Sequence, residues 1–258
     1  MNILCIGDVV GTNGCEFLRR NLPTLKKEYK VELCIVNGEN SAEGNGILPA
    51  SAEHIFASGA DVITGGNHTL RRREIYTELE ENDRLLRPAN LPDSAPGKGY
   101  CVVDFGYTVV GIINLLGTVY MESMAPPFEC LERQIEKVKS LGAKLIIVDF
   151  HAEATSEKRA MGLCFDSKVT ALYGTHTHVQ TNDSQILPKK TAYLTDLGMT
   201  GPKQSVLGIK PEIAITKMRD KLPVRFYNAT GESILNGWLL SVDTASGFVT
   251  EATLINIG

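Results

Sequence analysis

Asn2-Ile3-Leu4-Cys5-Ile6-Gly7-Asp8 is an apolar run that stops on a carboxylate. A continuous apolar stretch of this length reads as a strand buried on both faces, the kind found in parallel sheets covered by helices. The same pattern recurs downstream. Glu32–Asn37 leads into Asn37-Gly38-Glu39-Asn40, and Asp61–Thr64 is closed by Gly65-Gly66 and followed by Asn67-His68. Helix signals lie between these strands. Phe17, Leu18, Leu22 and Leu25 form one stripe after a glycine-rich loop (Gly7, Gly11, Gly14), with a kink expected at Pro23. Pro49 opens a helix to about Ser58, which Gly59 ends, and a charged helix is expected from Arg71 to about Glu81. This β-α-β-α-β-α alternation predicts an α/β fold with a parallel sheet under helices.

The middle of the chain changes character. Tyr100–Phe105 and Thr108–Asn114 read as a β-hairpin turning near Gly106. After Pro126-Pro127, the spacing of Phe128, Leu131, Ile135 and Val138 predicts an amphipathic helix. Lys144–Phe150 and Lys168–Gly174 are further strands, each feeding a histidine. Beyond residue 183 mostly short strands are expected around one helix at about Pro211–Lys221. The expectation is one domain over residues 1–258, with two β layers and helices outside.

Composition narrows the function classes. The 258 residues are 43% hydrophobic and carry a formal net charge of -4, so a polyanion-binding surface is not expected and bulk nucleic-acid binding is set aside. Six scattered cysteines without a C-x-x-C pair point to reduced, buried thiols and a cytoplasmic location. The first strand has no basic segment before it and meets Asp8 within one strand length, so it does not read as a signal peptide. No apolar run approaches the roughly 18 residues that span a bilayer. The spacing of Gly7, Gly11 and Gly14 does not fit a dinucleotide-binding fingerprint.

Five predicted strands end in a candidate ligand: Asp8, Glu39-Asn40, Asn67-His68, His151, and His176 with His178 in Gly174-Thr175-His176-Thr177-His178. Singly, each has an ordinary reading as a turn cap, a loop residue or a hydrogen-bonded imidazole. His176 and His178 lie two apart, which in an extended segment points both rings the same way. The carboxyl ends of strands in an open α/β sheet face one crevice, so the set converges. His54 sits mid-helix in Ser51-Ala52-Glu53-His54-Ile55 and reads as a surface or packing residue. Asp8, Glu39, Asn40, Asn67, His151, His176 and His178 offer carboxylate, amide and imidazole without thiolate. This suits iron or manganese, with zinc or cobalt as alternatives, and seven ligands suit two ions better than one tetrahedral zinc.

These motifs resemble those of the calcineurin-like metallophosphoesterases. More narrowly, Gly7-Asp8-Val9-Val10-Gly11, Asn37-Gly38-Glu39-Asn40, Arg87-Pro88-Ala89-Asn90, Pro96-Gly97-Lys98-Gly99, the segment Asp149 to Lys158 and Gly198-Met199-Thr200-Gly201-Pro202 are similar to the bacterial YmdB-like branch. The resemblance covers nearly the whole chain. It implies a metallophosphatase-type α/β/β/α sandwich, with two mixed sheets flanked by helices. It implies two metal ions: one held by Asp8, Asn40 and His178, the other by Asn67, His151 and His176, with Glu39 between. It implies attack on phosphorus by a hydroxide bridging the ions, with His68 as general acid, on cyclic nucleotides such as 2′,3′- or 3′,5′-cyclic AMP. Oligomers are also implied, although the apolar helical faces read equally well as core. Two departures separate the chain from the wider superfamily. Val10 stands where a ligating histidine is usual, and Glu39-Asn40 replaces a bridging aspartate. A third departure is local: Leu70-Arg71-Arg72-Arg73 follows His68 where the branch often has Trp-Asp-Lys, which reads either as added phosphate affinity or as a solvated helix start. The rival readings are a phosphomonoesterase or nucleotidase on the same site and a metal- or nucleotide-binding regulatory protein.

Overall fold

The computed structural model describes residues 1–122 and 124–258. In chain order the strands and helices are β1 (Asn2–Ile6), β2 (Asp8–Val9), α1 (Gly11–Glu28), β3 (Leu33–Asn37), α2 (Pro49–Ala57), β4 (Val62–Thr64), α3 (Tyr76–Glu81), β5 (Tyr100–Asp104), β6 (Val109–Leu116), α4 (Pro127–Ser140), β7 (Leu145–His151), α5 (Thr155–Cys164), β8 (Ala171–Thr175), β9 (Gln185–Ile186), β10 (Ala192–Leu194), β11 (Met199–Pro202), α6 (Pro211–Ile215), β12 (Ser233–Asp243) and β13 (Phe248–Ile257).

Two mixed sheets result. The first runs β2-β11-β12-β1-β3-β4, with β13 paired to β12. Within it β1, β3 and β4 are parallel, and β12 lies antiparallel to β1 from Asn2↔Ser241 to Ile6↔Gly237. The second runs β5-β6-β7-β8-β10-β9, with β6, β7, β8 and β10 parallel. Strand alternation then sorts the side chains. Ile3 and Cys5 of β1 and Ile35 of β3 face Ile112, Ile147 and Tyr173 of the second sheet, with Trp238 between the layers. Leu4, Ile6, Cys34 and Val36 turn outward onto Leu18, Leu22 and Leu25 of α1 and Ile55 of α2. On the opposite side Ile113, Val148 and Leu172 meet Leu131, Ile135 and Val138 of α4 and Met161 of α5. The architecture is therefore the expected α/β/β/α sandwich. Among the described residues no helix is long and apolar enough to cross a membrane.

Four local expectations are corrected. The loop at Gly7, Gly11 and Gly14 is shorter than expected, because α1 already starts at Gly11; Pro23 lies inside this helix. The charged helix begins only at Tyr76. Two single 3-10 turns, Thr69–Arg71 and Arg73–Ile75, precede it, separated by Arg72 in an extended conformation (φ -112°, ψ 117°). The Arg72 side chain accounts for the break: Nε donates to the Asn45 carbonyl (3.1 Å) and Nη2 to the Glu43 carbonyl (2.6 Å), which fixes it against the Glu43–Asn45 loop. Beyond residue 183, β9, β10 and β11 are short as expected, but β12 and β13 span 11 and 10 residues as one antiparallel hairpin. Five of the six cysteines are buried and all are free, Cys164 alone being exposed.

Candidate metal centre

Each sheet delivers its ligand candidates from the ends of parallel strands. In the first sheet β1 leads to Asp8, β3 to Glu39 and Asn40, and β4 to Asn67 and His68. In the second, His151 is the last residue of β7, and β8 ends at Thr175, just before His176. Asn114 of β6 ties the two edges together: its Oδ1 accepts from the Gly65 N–H (3.0 Å) and its Nδ2 donates to the Gly65 carbonyl (3.1 Å).

His176 and His178 do not reach the site as alternate residues of an extended segment. Both have left-handed backbone, with φ of 96° and 62°. Two carboxylates hold this conformation. Asp8 Oδ2 accepts from the His176 N–H (3.2 Å), and Asp196 Oδ2 accepts from the Thr177 N–H (3.2 Å). Non-glycine residues persist in this region only where their surroundings over-determine it.

Three potential ligand atoms crowd His151 Nε2: His176 Nδ1 at 3.0 Å, Asn67 Oδ1 at 3.1 Å and Glu39 Oε1 at 3.2 Å. Ligand atoms of Glu39, His151 and His176 all lie within 4.8 Å of one another. A second group adjoins it, where His178 Nε2 lies 3.2 Å from Asn40 Nδ2 and 3.6 Å from Asp8 Oδ1. Glu39 stands between the two groups, its Oε1 also accepting from Asn40 Nδ2 (2.8 Å). Here the nitrogen of the Asn40 amide faces Glu39 and His178, while its oxygen meets His68 Nδ1 (3.0 Å). Only an oxygen can ligate, so ligation by Asn40 requires the amide turned by about 180°.

Behind His151 lies a network that the sequence reading did not single out. Thr175 Oγ1 donates to Asp149 Oδ1 (2.7 Å) and so presents a lone pair to His151 Nδ1 (2.9 Å). That places a proton on Nδ1 and leaves Nε2 of the neutral ring as the atom free to bind a cation, the usual arrangement behind a ligating histidine. Asp149 Oδ2 accepts from Thr64 Oγ1 (2.5 Å) and Asn37 Nδ2 (3.1 Å) of the opposite sheet. The available signals were the hydroxyl in Gly174-Thr175-His176 and the acid two residues before His151. Both lie within apolar strands, where they read as ordinary core positions.

Electrostatics agree with a cation site. Burial alone would raise the Glu39 carboxyl, but the neighbouring His151 and His68 hold it well below the usual range. Burial opposes ionisation of Asp8 too, yet the nearby His178, with Nε2 at 3.6 Å from Oδ1, and the charge of His151 bring it down. His151 is lowered by burial but raised overall to about 9 by Glu39, Asp8 and Asp149. His176 falls to about 4 through burial and the nearness of His151. Two fully buried carboxylates thus face this group of imidazoles, and Asp8 Oδ1 has no hydrogen-bond partner. A buried carboxylate oxygen without a partner is costly unless a cation completes it. Room is reserved as well: a Cβ on Gly66 would collide with Glu39 Oε2 and stand only 2.5 Å from His151 Nε2. The donor set and the orphaned oxygen fit a bound metal.

His68 stands at the mouth. Its backbone N–H donates to Glu39 Oε2 (2.8 Å), and its ring is partly exposed. With Nδ1 occupied by Asn40, Nε2 is the ring atom left to meet a substrate. Arg71 and Arg72 line a cavity together with His68, whereas Arg73 is exposed and does not. His54 lies apart on α2, with Nε2 at 3.2 Å from the Cys15 carbonyl.

The family model described as "YmdB-like protein" matches residues 4–255. A Bacillus subtilis (strain 168) protein named 2′,3′-cyclic-nucleotide 2′-phosphodiesterase is 43% identical over 99% of this chain and 97% of its own length. A crystal structure described as a novel phosphatase from Mycoplasma pneumoniae superposes with a TM-score of 0.94 at 37% identity, covering 100% of this chain and 93% of the other. A hypothetical protein from Thermus thermophilus gives a TM-score of 0.94 at 34% identity, covering 100% and 99%. With a family model spanning nearly its whole length and full-length relatives above one-third identity, the chain belongs to the YmdB-like family.

Proposed function

We propose that this chain is a metal-dependent phosphodiesterase acting on cyclic nucleotides, in the class of 2′,3′- or 3′,5′-cyclic AMP. The observation that carries the metal-dependent reading is the convergence of Glu39, Asn67 and His176 on His151 Nε2, beside an Asp8 oxygen without a partner. The cyclic-nucleotide class rests on the name of the Bacillus subtilis relative. In this reading Asp8, Asn40 and His178 would hold one ion and Asn67, His151 and His176 a second, with Glu39 standing between the two groups. Iron or manganese suits these ligands, with zinc as the alternative. Bound there, the ions supply Lewis acidity toward the phosphoryl oxygens and lower the pKa of an attacking water.

The chain's own groups do the rest. Thr175 and Asp149 orient His151. His68 meets the leaving oxygen through Nε2. When the Asn40 amide turns its oxygen toward Glu39 and His178, its NH₂ faces His68 Nδ1. The Nε2–H of His68 then donates a hydrogen bond to the leaving oxygen and stabilises the charge that develops there.

The test is hydrolysis of bis-p-nitrophenyl phosphate against p-nitrophenyl phosphate, with added Mn²⁺ and with chelator. Chelator-sensitive turnover favouring the diester is expected. Preference for the monoester would make the protein a phosphatase instead. No turnover of either with metal bound would make it a regulatory binder. His68→Ala should keep its metal and lose roughly 10²–10⁴-fold in turnover. Loss of metal in that variant would overturn the role given to His68.

A further inference from the structure

We propose that the cavity beside His68 is a subsite for a second, non-reacting phosphate of the substrate, held by Arg71, Lys217 and Arg225. This rests on the phosphodiesterase reading for the position of the first phosphate. The cavity measures about 760 Å³ and shares His68 with the mouth of the candidate metal centre. Its cations come from two distant segments: Arg71 and Arg72 from the turn after His68, Lys217 and Arg225 from the chain between α6 and β12. The one acid in its wall, Glu43, already has Oε1 accepting from the Thr12 N–H (3.1 Å). Arg72 is committed to the carbonyls of Glu43 and Asn45. Among the described residues, Arg71, Lys217 and Arg225 have no ion-pair partner.

A surplus of cations at one concave place is conspicuous in a chain of net charge -4. Their mutual repulsion is relieved by an anion with several acceptor oxygens. A phosphate meets that need, because guanidinium forks and an ammonium match its oxygens. Two of the heads are also set in advance. Lys217 Nζ lies 4.3 Å from the centre of the Phe226 ring, and the Arg225 guanidinium lies 5.4 Å from that of Tyr227. A cyclic mononucleotide has only one phosphate, and the metal centre takes it. The cavity then favours a nucleotide carrying another phosphate next to the scissile one, such as a dinucleotide that ends in a 2′,3′-cyclic phosphate.

Two measurements on the full chain test this. The first is calorimetric titration of the metal-stripped protein with inorganic pyrophosphate. Binding should weaken at least roughly tenfold in Lys217→Ala and in Arg225→Ala, as expected for loss of a charge-assisted contact. It should stay intact in Arg73→Ala, whose side chain lies outside the cavity. The second is kcat/KM of the metal-loaded protein for diadenosine 2′,3′-cyclic phosphate against adenosine 2′,3′-cyclic phosphate. The wild type should prefer the dinucleotide about tenfold or more, and Lys217→Ala and Arg225→Ala should bring the ratio toward one. Pyrophosphate binding that is absent, or indifferent to Lys217 and Arg225, overturns the subsite. So does a wild-type ratio near one, or a loss in the variants that falls equally on both substrates. If pyrophosphate binds as described but neither nucleotide is hydrolysed, the anion subsite stands and the phosphodiesterase reading falls.

Discussion

At Gly66 a single methyl group would collide with both Glu39 and His151, and neither has anywhere to go, since both are fully buried. Gly66→Ala should therefore leave the secondary structure intact by circular dichroism but remove metal uptake, measured as metal per chain after dialysis, and turnover with it. Retention of full metal content would show that the site yields more easily than its packing indicates. Thr175→Val tests the atoms behind His151. The valine is nearly isosteric but cannot accept the Nδ1 proton, so metal affinity should drop about 10–100-fold in competition with a chromophoric chelator. The ligand candidates were legible one by one because each ends an apolar run on a residue able to hold a cation. Thr175, Asp149 and Thr64 were not. Their importance comes from facing one another across two sheets, and nothing in the local spacing of Asp149 announces Thr64 or Asn37.

At the level of elements, α5 is fastened to the histidine loop by an ion pair with no access to water: Lys158 Nζ donates to Asp196 Oδ2 at 2.7 Å, both side chains buried. The same carboxylate receives the Thr177 N–H and the Gly198 N–H (2.9 Å). Lys158→Met should cost about 3–5 kcal/mol in urea unfolding, because it strands the Asp196 charge. It should also loosen the left-handed turns at His176 and His178, read as weaker metal binding. Restoring the stability with Lys158→Met/Asp196→Leu, but not the metal affinity, would separate the two roles. Helix and strand positions in the first half followed from periodicity. The helix expected from Arg71 failed because Arg72 anchors its side chain to another loop and extends its own backbone, a tertiary demand that outranks local propensity. The β12–β13 hairpin was not separated from the mostly short strands expected beyond residue 183, and its pairing carries a register shift between Ser241 and Val242.

For the whole molecule, the pairing of β1 with β12 joins residues from opposite ends of the chain, such as Asn2 with Ser241. Apolar patterning says that both strands are buried but not that they are neighbours, so layers were foreseeable where strand order was not. The buried centre makes global stability depend on pH. In the metal-free protein the pKa of His151 is about 9 against an ordinary 6.5. A raised imidazole stabilises the fold fully below 6.5 and loses that contribution as pH rises through about 9, up to about 3 kcal/mol. The thermal midpoint in chelator should fall by roughly 5–10 °C across that window. His151→Asn should remove the slope, and so should metal, which displaces the proton. A slope unchanged in His151→Asn would locate the titrating group elsewhere. The cysteines offer a different view of the same fold. Cys164 is open to a maleimide reagent, while burial pushes the thiols of Cys15, Cys34 and Cys101 up to about 12 and seals them from attack. Counting labels over time therefore works as a clock for transient opening. Cys5, Cys15 and Cys34 report on the first sheet and its helix, and Cys101 and Cys130 on the second. The order in which they react tells which half of the sandwich lets go first.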